Sequence, residues 1–195
     1  MYWRYDINFE YIRTLPVAET PQISQAYQTP NTPQQVGAIN TTLLDCPWLD
    51  VTAIDLLARH ERIQQQDFFT LSKSLRFAAI SNSMVLNSVP TPRQRGEMLR
   101  QCHHYLRQDR GHLFLMLPRS CLTHSRRLTL DGFRRRVIPH YGFRLVREYA
   151  TPKVAFFVLQ AVEKGNGAEE GGALLPAAAS SSSSSWAKDF AIDLV

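Results

Sequence analysis

Apolar residues along the chain fall into short runs of strand length, separated by stretches with a helical period. Val51–Ile54 is a continuous β-branched and apolar run, the pattern of a strand buried on both faces. Phe77–Ser81 and the strongly apolar Leu113–Leu117, closed by Pro118, read the same way. Phe143–Tyr149 and Val154–Leu159 are two further strands. The Ala150–Lys153 link between them is too short for a crossover, which predicts an antiparallel pair. Between the runs, Met98, Leu99, Cys102, Tyr105 and Leu106 recur with helical spacing. Thr91-Pro92-Arg93-Gln94 starts that helix with a capping threonine, a proline at the first helical position and a glutamine three residues after the cap. A second helix is predicted from about Leu128. It carries Leu130, Phe133, Val137 and Ile138 on one face and Arg134–Arg136 largely on the other, with Gly142 as its stop.

The margins of this pattern are less regular. Pro21, Pro30 and Pro33 make Thr20–Pro33 an irregular arm, leaving only Gln34–Val36 for a first strand. After Asp55, LLARHERIQQQ predicts a short helix or turn, and Gln66–Phe69 lies at the end of a third strand. Strands and helices that alternate and finish in an antiparallel pair give an α/β, Rossmann-like sheet, mostly parallel. From Lys164 the composition turns to Gly, Ala and Glu and then to six consecutive serines, Ser180–Ser185. The expected organisation is an irregular arm over 1–33, one domain over 34–160 and a disordered, low-complexity tail over 161–195. The closing WAKDFAIDLV is apolar again and reads equally as a docking peptide or a misread gene end.

Composition removes several classes of function. A chain of 195 residues suits a single core. No apolar run approaches the ~20 residues of a bilayer span, and MYWRYD lacks the apolar core of a signal peptide, so no membrane partner is expected. Three widely spaced cysteines (Cys46, Cys102, Cys121) argue against a disulfide framework and a zinc site. His103 and His104 are adjacent on a helix and point in different directions, so no shared metal is expected. A monomer is expected. The net charge of +5 is mild, but between Arg93 and Arg147 there are thirteen arginines, no lysines and three acids. Guanidinium forks match phosphate oxygens and stack on bases, so Arg126, Arg127 and Arg134–Arg136 form a candidate nucleic-acid face. An ordinary solvated surface fits the same residues.

Candidate chemistry gathers at predicted strand ends. The apolar Val36 runs into Gly37, and the Val51–Ile54 run ends in Asp55. This is the order in which a nucleotide-binding half places a close-approach glycine and, about 20 residues on, a ribose-binding acid. A turn glycine and a helix-capping aspartate fit the same stretch, and on this stretch alone fit it slightly better. Asp67 and Phe68 stand where a polar–aromatic pair can meet an adenine, and a loop aspartate beside core phenylalanines fits as often. Asn82 and Ser83 follow the central strand run at the edge where such sheets bind ligands.

Several of these segments together resemble a known family. VGAIN (36–40), WLDVTAIDL (48–56), QQDFF (65–69), SMVLNSVP (83–90), RGEMLR (95–100), GHLFLMLPRSC (111–121), GF (142–143) and TPKVAFF (151–157) are similar to fungal 25S ribosomal RNA adenine-N1 methyltransferases. The most specific pieces are V-L-N-x-V-P followed by R-G-x-M-L, and the L-P-x-x-C that closes the fifth strand. The resemblance implies a class I methyltransferase of the nucleolus that uses S-adenosyl-L-methionine on large-subunit ribosomal RNA. Carried across, Gly37 would lie at the methionine end of the cofactor, Asp55 on its ribose, Asp67 and Phe68 at the adenine edge, and Asn82 and Ser83 on the catalytic side. The chain departs from the family where Pro33-Gln34-Gln35 replaces an apolar strand with an acid beside it. Relatives among animals resemble a sensor of the same cofactor, so binding without methyl transfer is the alternative, and an RNA-binding scaffold is another.

Overall fold

Seven strands form one sheet in the order β3-β2-β1-β4-β5-β7-β6 in a computed structural model that describes residues 34–36, 42–45, 50–108, 110–163 and 189–195. The strands are β1 (Gln34–Val36), β2 (Thr52–Asp55), β3 (Gln64–Gln65), β4 (Ala79–Ser83), β5 (His112–Pro118), β6 (Phe143–Ala150) and β7 (Val154–Ala161). The first five are mutually parallel. β7 inserts antiparallel between β5 and β6, so the predicted terminal pair and the mostly parallel sheet are both present.

Local chemistry explains the helices. In α1 (Pro92–Tyr105) the Thr91 hydroxyl accepts from the Gln94 amide at 3.2 Å, and Pro92 occupies the first turn where its missing N–H costs nothing. The Gln94 side chain pairs with the Thr91 hydroxyl at 2.9 Å. After a short turn, α2 (Ser120–Thr123), a helical stretch runs from 130 to 140, called α3 here. Thr129 caps it, and its middle, Phe133–Val137, widens into a π-turn. That widening keeps Phe133, Val137 and Ile138 all buried on the predicted face. Gly142 ends α3 with φ +75°, and a β-carbon there would also meet the His103 ring.

Two expectations need correction, the start of the central strand and the extent of the tail. The central strand begins at Ala79, not Phe77, because Phe77 leaves the sheet to make a lone parallel bridge with Leu106. The third strand is Gln64–Gln65, with Gln66–Phe69 at its end as expected and Phe68–Thr70 in a 3-10 turn. The segment after Asp55 forms turns, one of its two expected forms. The tail does not extend over all of 161–195, since Ala161 closes β7 and residues 189–195 pack onto the domain. The arm over 1–33 lies outside the described residues.

The main core lies where α1 and α3 cover the sheet, with Ile80, Leu113, Leu115 and Phe133 fully enclosed. The two adjacent histidines of α1 diverge: the His103 ring meets the Val162 carbonyl and the His104 ring the Lys73 carbonyl. His112, at the start of β5, is buried. That burial pushes its pKa below the ordinary imidazole value and the Arg144 charge adds to the effect, against a hydrogen bond with the Arg110 backbone. A depressed pKa favours the folded state above the unfolded value of about 6.5, and that contribution is lost as pH falls. Urea unfolding between pH 7.5 and 5.5 should show stability falling by up to about 1.4 kcal/mol per pH unit for this proton. His112→Gln should flatten the slope, whatever its effect at pH 7.5.

Candidate active site

The parallel registers bring three strand ends to one place. Val36, the last residue of β1, lies opposite Ile54 on one side and Asn82 on the other. Asp55 and Ser83 are the next residues of β2 and β4, so they flank the end of β1 at the carboxyl edge. Two interstrand spacings separate them, about 10 Å. The chain reverses its direction of travel across the sheet between β1 and β4, which is where open α/β sheets hold ligands. Gly37, the residue after β1, lies outside the described residues.

Asp55 is half-buried. Its Oδ1 accepts from the Leu57 amide at 2.8 Å, and its backbone carbonyl takes the Gln66 amide at 3.0 Å, fixing the ends of β2 and β3 together. Leu56 and Leu57 follow it with their side chains largely in solvent, 67% exposed each. Two adjacent exposed leucines beside a fixed carboxylate are an apolar platform with a polar rim. Asp67 is exposed past the end of β3, where its Oδ1 caps the 3-10 turn through the Phe69 amide at 2.9 Å.

Phe68 follows the second of its two readings, a core phenylalanine, and not the adenine-facing one. Its ring is buried in the main core, 5.6 Å centroid to centroid from Tyr105, so only its backbone is at the turn. Tyr105 is equally buried and donates to the Leu71 carbonyl at 2.9 Å. Neither ring can stack on an incoming base.

Asn82 also turns inward. It is 0% exposed, its Nδ2 donates to Met98 Sδ at 3.3 Å, and its Oδ1 accepts from the Leu86 amide at 3.2 Å. Both ends of the amide are consumed, so Asn82 cannot touch a ligand. It braces the loop after β4 against α1. Ser83 is half-buried at the edge itself.

The residue that patterns missed is Met84. It sits at φ 60°, in the left-handed region that a non-glycine residue enters at a cost of about 1 kcal/mol or more. Its amide donates to the Met116 carbonyl at 3.1 Å and its carbonyl accepts from the Ser88 hydroxyl at 3.2 Å, which hold the turn in place. No residue type in SMVLNS signals such a backbone. On the same loop, Asn87 Oδ1 is shielded from solvent and has no hydrogen-bond partner among the described residues. Cys102 and Cys121 are buried thiols whose pKa burial pushes up to about 12, so neither is primed as a nucleophile.

The arginine segment divides. Arg134 forms a two-pronged ion pair with Glu148, and Arg135 pairs with Asp131 at 2.7 Å. Arg119, Arg126, Arg127 and Arg136 have no side-chain partner among the described residues. Arg119 follows β5 directly, with its amide bonded to the Lys153 carbonyl at 2.8 Å, so it stands at the same carboxyl edge as Asp55. A cleft of about 240 Å³ opens there, lined by Arg119, Thr123, Arg134, Glu148 and Phe157 among others.

The strand order and the ligand-edge geometry are those of a class I methyltransferase domain. The N-methyltransferase NodS from Bradyrhizobium japonicum WM9, solved in complex with S-adenosyl-L-homocysteine, shares this fold with a TM-score of 0.52. It is 18% identical, and the match covers 82% of this chain and 91% of that one. Residues 16–189 match the family model described as 25S rRNA (adenine(2142)-N(1))-methyltransferase, Bmt2, and the chain belongs to that family. Similar relatives include a 25S rRNA adenine-N(1) methyltransferase of Schizosaccharomyces pombe, 34% identical over 122 residues, covering 58% of this chain and 43% of that protein. Another is the 25S rRNA (adenine(2142)-N(1))-methyltransferase of Saccharomyces cerevisiae, 39% identical over 83 residues, covering 40% of this chain and 23% of that protein. The match thus spans less than half the length of either relative.

Proposed function

We propose that this chain binds S-adenosyl-L-methionine at the β1–β2–β4 edge and directs its methyl group to N1 of an adenine in large-subunit ribosomal RNA. The observation that carries the reading is the convergence of Asp55, Ser83 and the left-handed Met84 at the switch point of this sheet, in a member of this family. The groups present suit a nucleoside. A half-buried carboxylate can accept from ribose hydroxyls, the Leu56–Leu57 pair offers an apolar surface to a purine, and Asn87 Oδ1 is an acceptor in want of a donor. Gly37 belongs at the methionine end of the same cofactor.

When bound, the cofactor supplies an electrophilic methyl on a sulfonium. Adenine N1 is a lone-pair nucleophile and its methylated product is a stable cation, so no proton must leave before transfer. The protein's work is alignment, a proximity effect. N1 is blocked in a paired helix, so the base must be unpaired or flipped at a cost of a few kcal/mol. Phosphate binding falls to the guanidiniums that are not already paired, Arg119, Arg126, Arg127 and Arg136. With such a substrate the site of action is the nucleolus.

Calorimetric titration with S-adenosyl-L-homocysteine, followed by transfer of radiolabelled methyl to unmodified 25S RNA, tests the reading. Binding with transfer is the expected result. Binding without transfer would reduce the chain to a cofactor sensor, and no heat of binding would leave at most an RNA scaffold.

Replacing Arg126, Arg127 and Arg136 together by alanine should weaken RNA binding and lower the slope of log affinity against log salt. Each lost phosphate contact removes about 0.7–0.9 from the slope, so three should remove roughly two to three. Binding assays between 50 and 300 mM salt measure it. An unaltered slope would move the RNA face elsewhere.

A further inference from the structure

Residues 190–195, FAIDLV, lie just beyond the residues that match the family model, yet they are part of the folded domain. Phe190, Ala191 and Ile192 are at most 3% exposed. Their seat is the Arg95–Gly96 pair at the start of α1. A β-carbon at position 96 would collide with the Asp193 carbonyl and the Tyr141 hydroxyl, so glycine is what lets the segment approach the helix. The Tyr141 hydroxyl donates to the Asp193 carbonyl, the Asp193 amide to the Pro92 carbonyl at 3.1 Å, and the Ser125 hydroxyl to the Phe190 carbonyl at 2.6 Å.

Arg95 connects this segment to the ligand edge. Its Nε donates to the Val89 carbonyl at 2.9 Å and one terminal nitrogen to the Pro90 carbonyl at 3.3 Å. The other terminal nitrogen reaches the Ala191 carbonyl at 2.9 Å. The guanidinium also lies 4.7 Å from the centre of the Phe190 ring. One side chain therefore ties the loop that begins at Met84 to the packed segment. The V-P and R-G pieces on which the family resemblance leans most meet at this side chain.

We propose that residues 190–195 act as a clasp, seated on Arg95 and Gly96, that positions the 84–90 loop and so sets affinity for the methyl donor. The affinity half of the proposal rests on the function proposed above; the loop half does not. Arg95 is a positioning residue here, since it touches the loop and the segment and no reacting group.

The test compares the full chain, a chain ending at Asp189, and the full-length Phe190→Ala variant, which keeps the seat occupied but removes the ring under Arg95. Amide exchange is read at Leu86, Ser88 and Val89, whose N–H groups are bonded within the loop, and at Leu113 and Leu115 in β5. The shortened chain should exchange at least about tenfold faster in the loop with β5 little changed, as expected for loss of a hydrogen bond to a charged group, and Phe190→Ala should move the loop the same way by a smaller factor, since it removes only the ring contact. S-adenosyl-L-homocysteine affinity should weaken by a similar factor. A synthetic peptide of residues 189–195 should restore both in the shortened chain. Unchanged loop exchange in both variants, or a rise shared equally by β5, would overturn the proposal, the latter by making the segment a general stabiliser. A loop-specific rise in a protein whose full chain gives no heat with the ligand would support the clasp and reject the methyl-donor reading.

Discussion

Asn82→Asp should destabilise the domain by about 3–5 kcal/mol at neutral pH, although it exchanges one amide for a nearly isosteric carboxyl. The residue is fully enclosed, its hydrogen-bond partners are the Met98 thioether, the Cys102 thiol and the Leu86 amide, and no cation is among them. The aspartate would keep its acceptor role toward Leu86 and would lose the donor to Met98. Burial disfavours its charged form, raising the folded pKa above the unfolded value of about 3.9. A raised pKa leaves the folded state unharmed by charge below the unfolded value. The penalty then grows by about 1.4 kcal/mol per pH unit until the folded pKa is reached. Urea unfolding of both proteins from pH 4 to 8 should therefore show curves that converge in acid and separate toward neutrality. A constant gap would mean that Asn82 lies in a wetter, more polar place than its contacts describe.

Asp55→Ala should have the opposite profile. Its carboxylate is half-buried and makes one local bond to the Leu57 amide, so stability should change by only about 0.5 kcal/mol. Affinity for S-adenosyl-L-homocysteine should fall by about 10- to 100-fold, which is about 1–3 kcal/mol, the cost of removing a charge-assisted partner of the ribose. Asp55→Asn should recover part of that loss, since it keeps one acceptor oxygen without the charge. Calorimetry on the three proteins, beside urea curves on the same samples, separates binding from folding. Equal affinities would remove Asp55 from the site. Together the two substitutions distinguish the residue that holds the edge in shape from the one that faces the ligand.

Much of the architecture was legible because burial writes a strong pattern. Ala53–Ile54 and most of Leu113–Leu117 are enclosed by neighbouring strands and covered faces, so those stretches are apolar. α1 announces itself through its cap and its stripe. The failures are places where tertiary contacts dominate. β3 is two exposed glutamines, a strand only because Ile54 and Asp55 pair with them. Gln34–Val36 becomes a central strand because β2 and β4 supply partners on both sides, despite the preceding proline. Asn82 was misassigned to the ligand although a signal existed. Strand side chains alternate, and Asn82 lies two residues from Ile80, which is wholly buried, so it must face the core. Phe68 was drawn toward an adenine by the aspartate before it, while a gap beside Tyr105 takes its ring. Nothing periodic marks 190–195, since its groove exists only after α1 and α3 have packed.

The brevity of β1 has a mechanical consequence. Among the described residues, three, each paired once to either side, form the backbone seam between β2–β3 and the four-stranded remainder. In the β2–β3 wing Ile54 joins the large core and Ala53 packs with Ile63 in a small second cluster, whereas the remainder carries most of the large core. A wing held by so short a seam is expected to open before the rest, and Asp55 rides on it. A molecule gripped from Asp55 across to the β4 loop would rivet the two parts together, so ligand binding and closure of the seam are one event, and heat resistance should climb with ligand concentration.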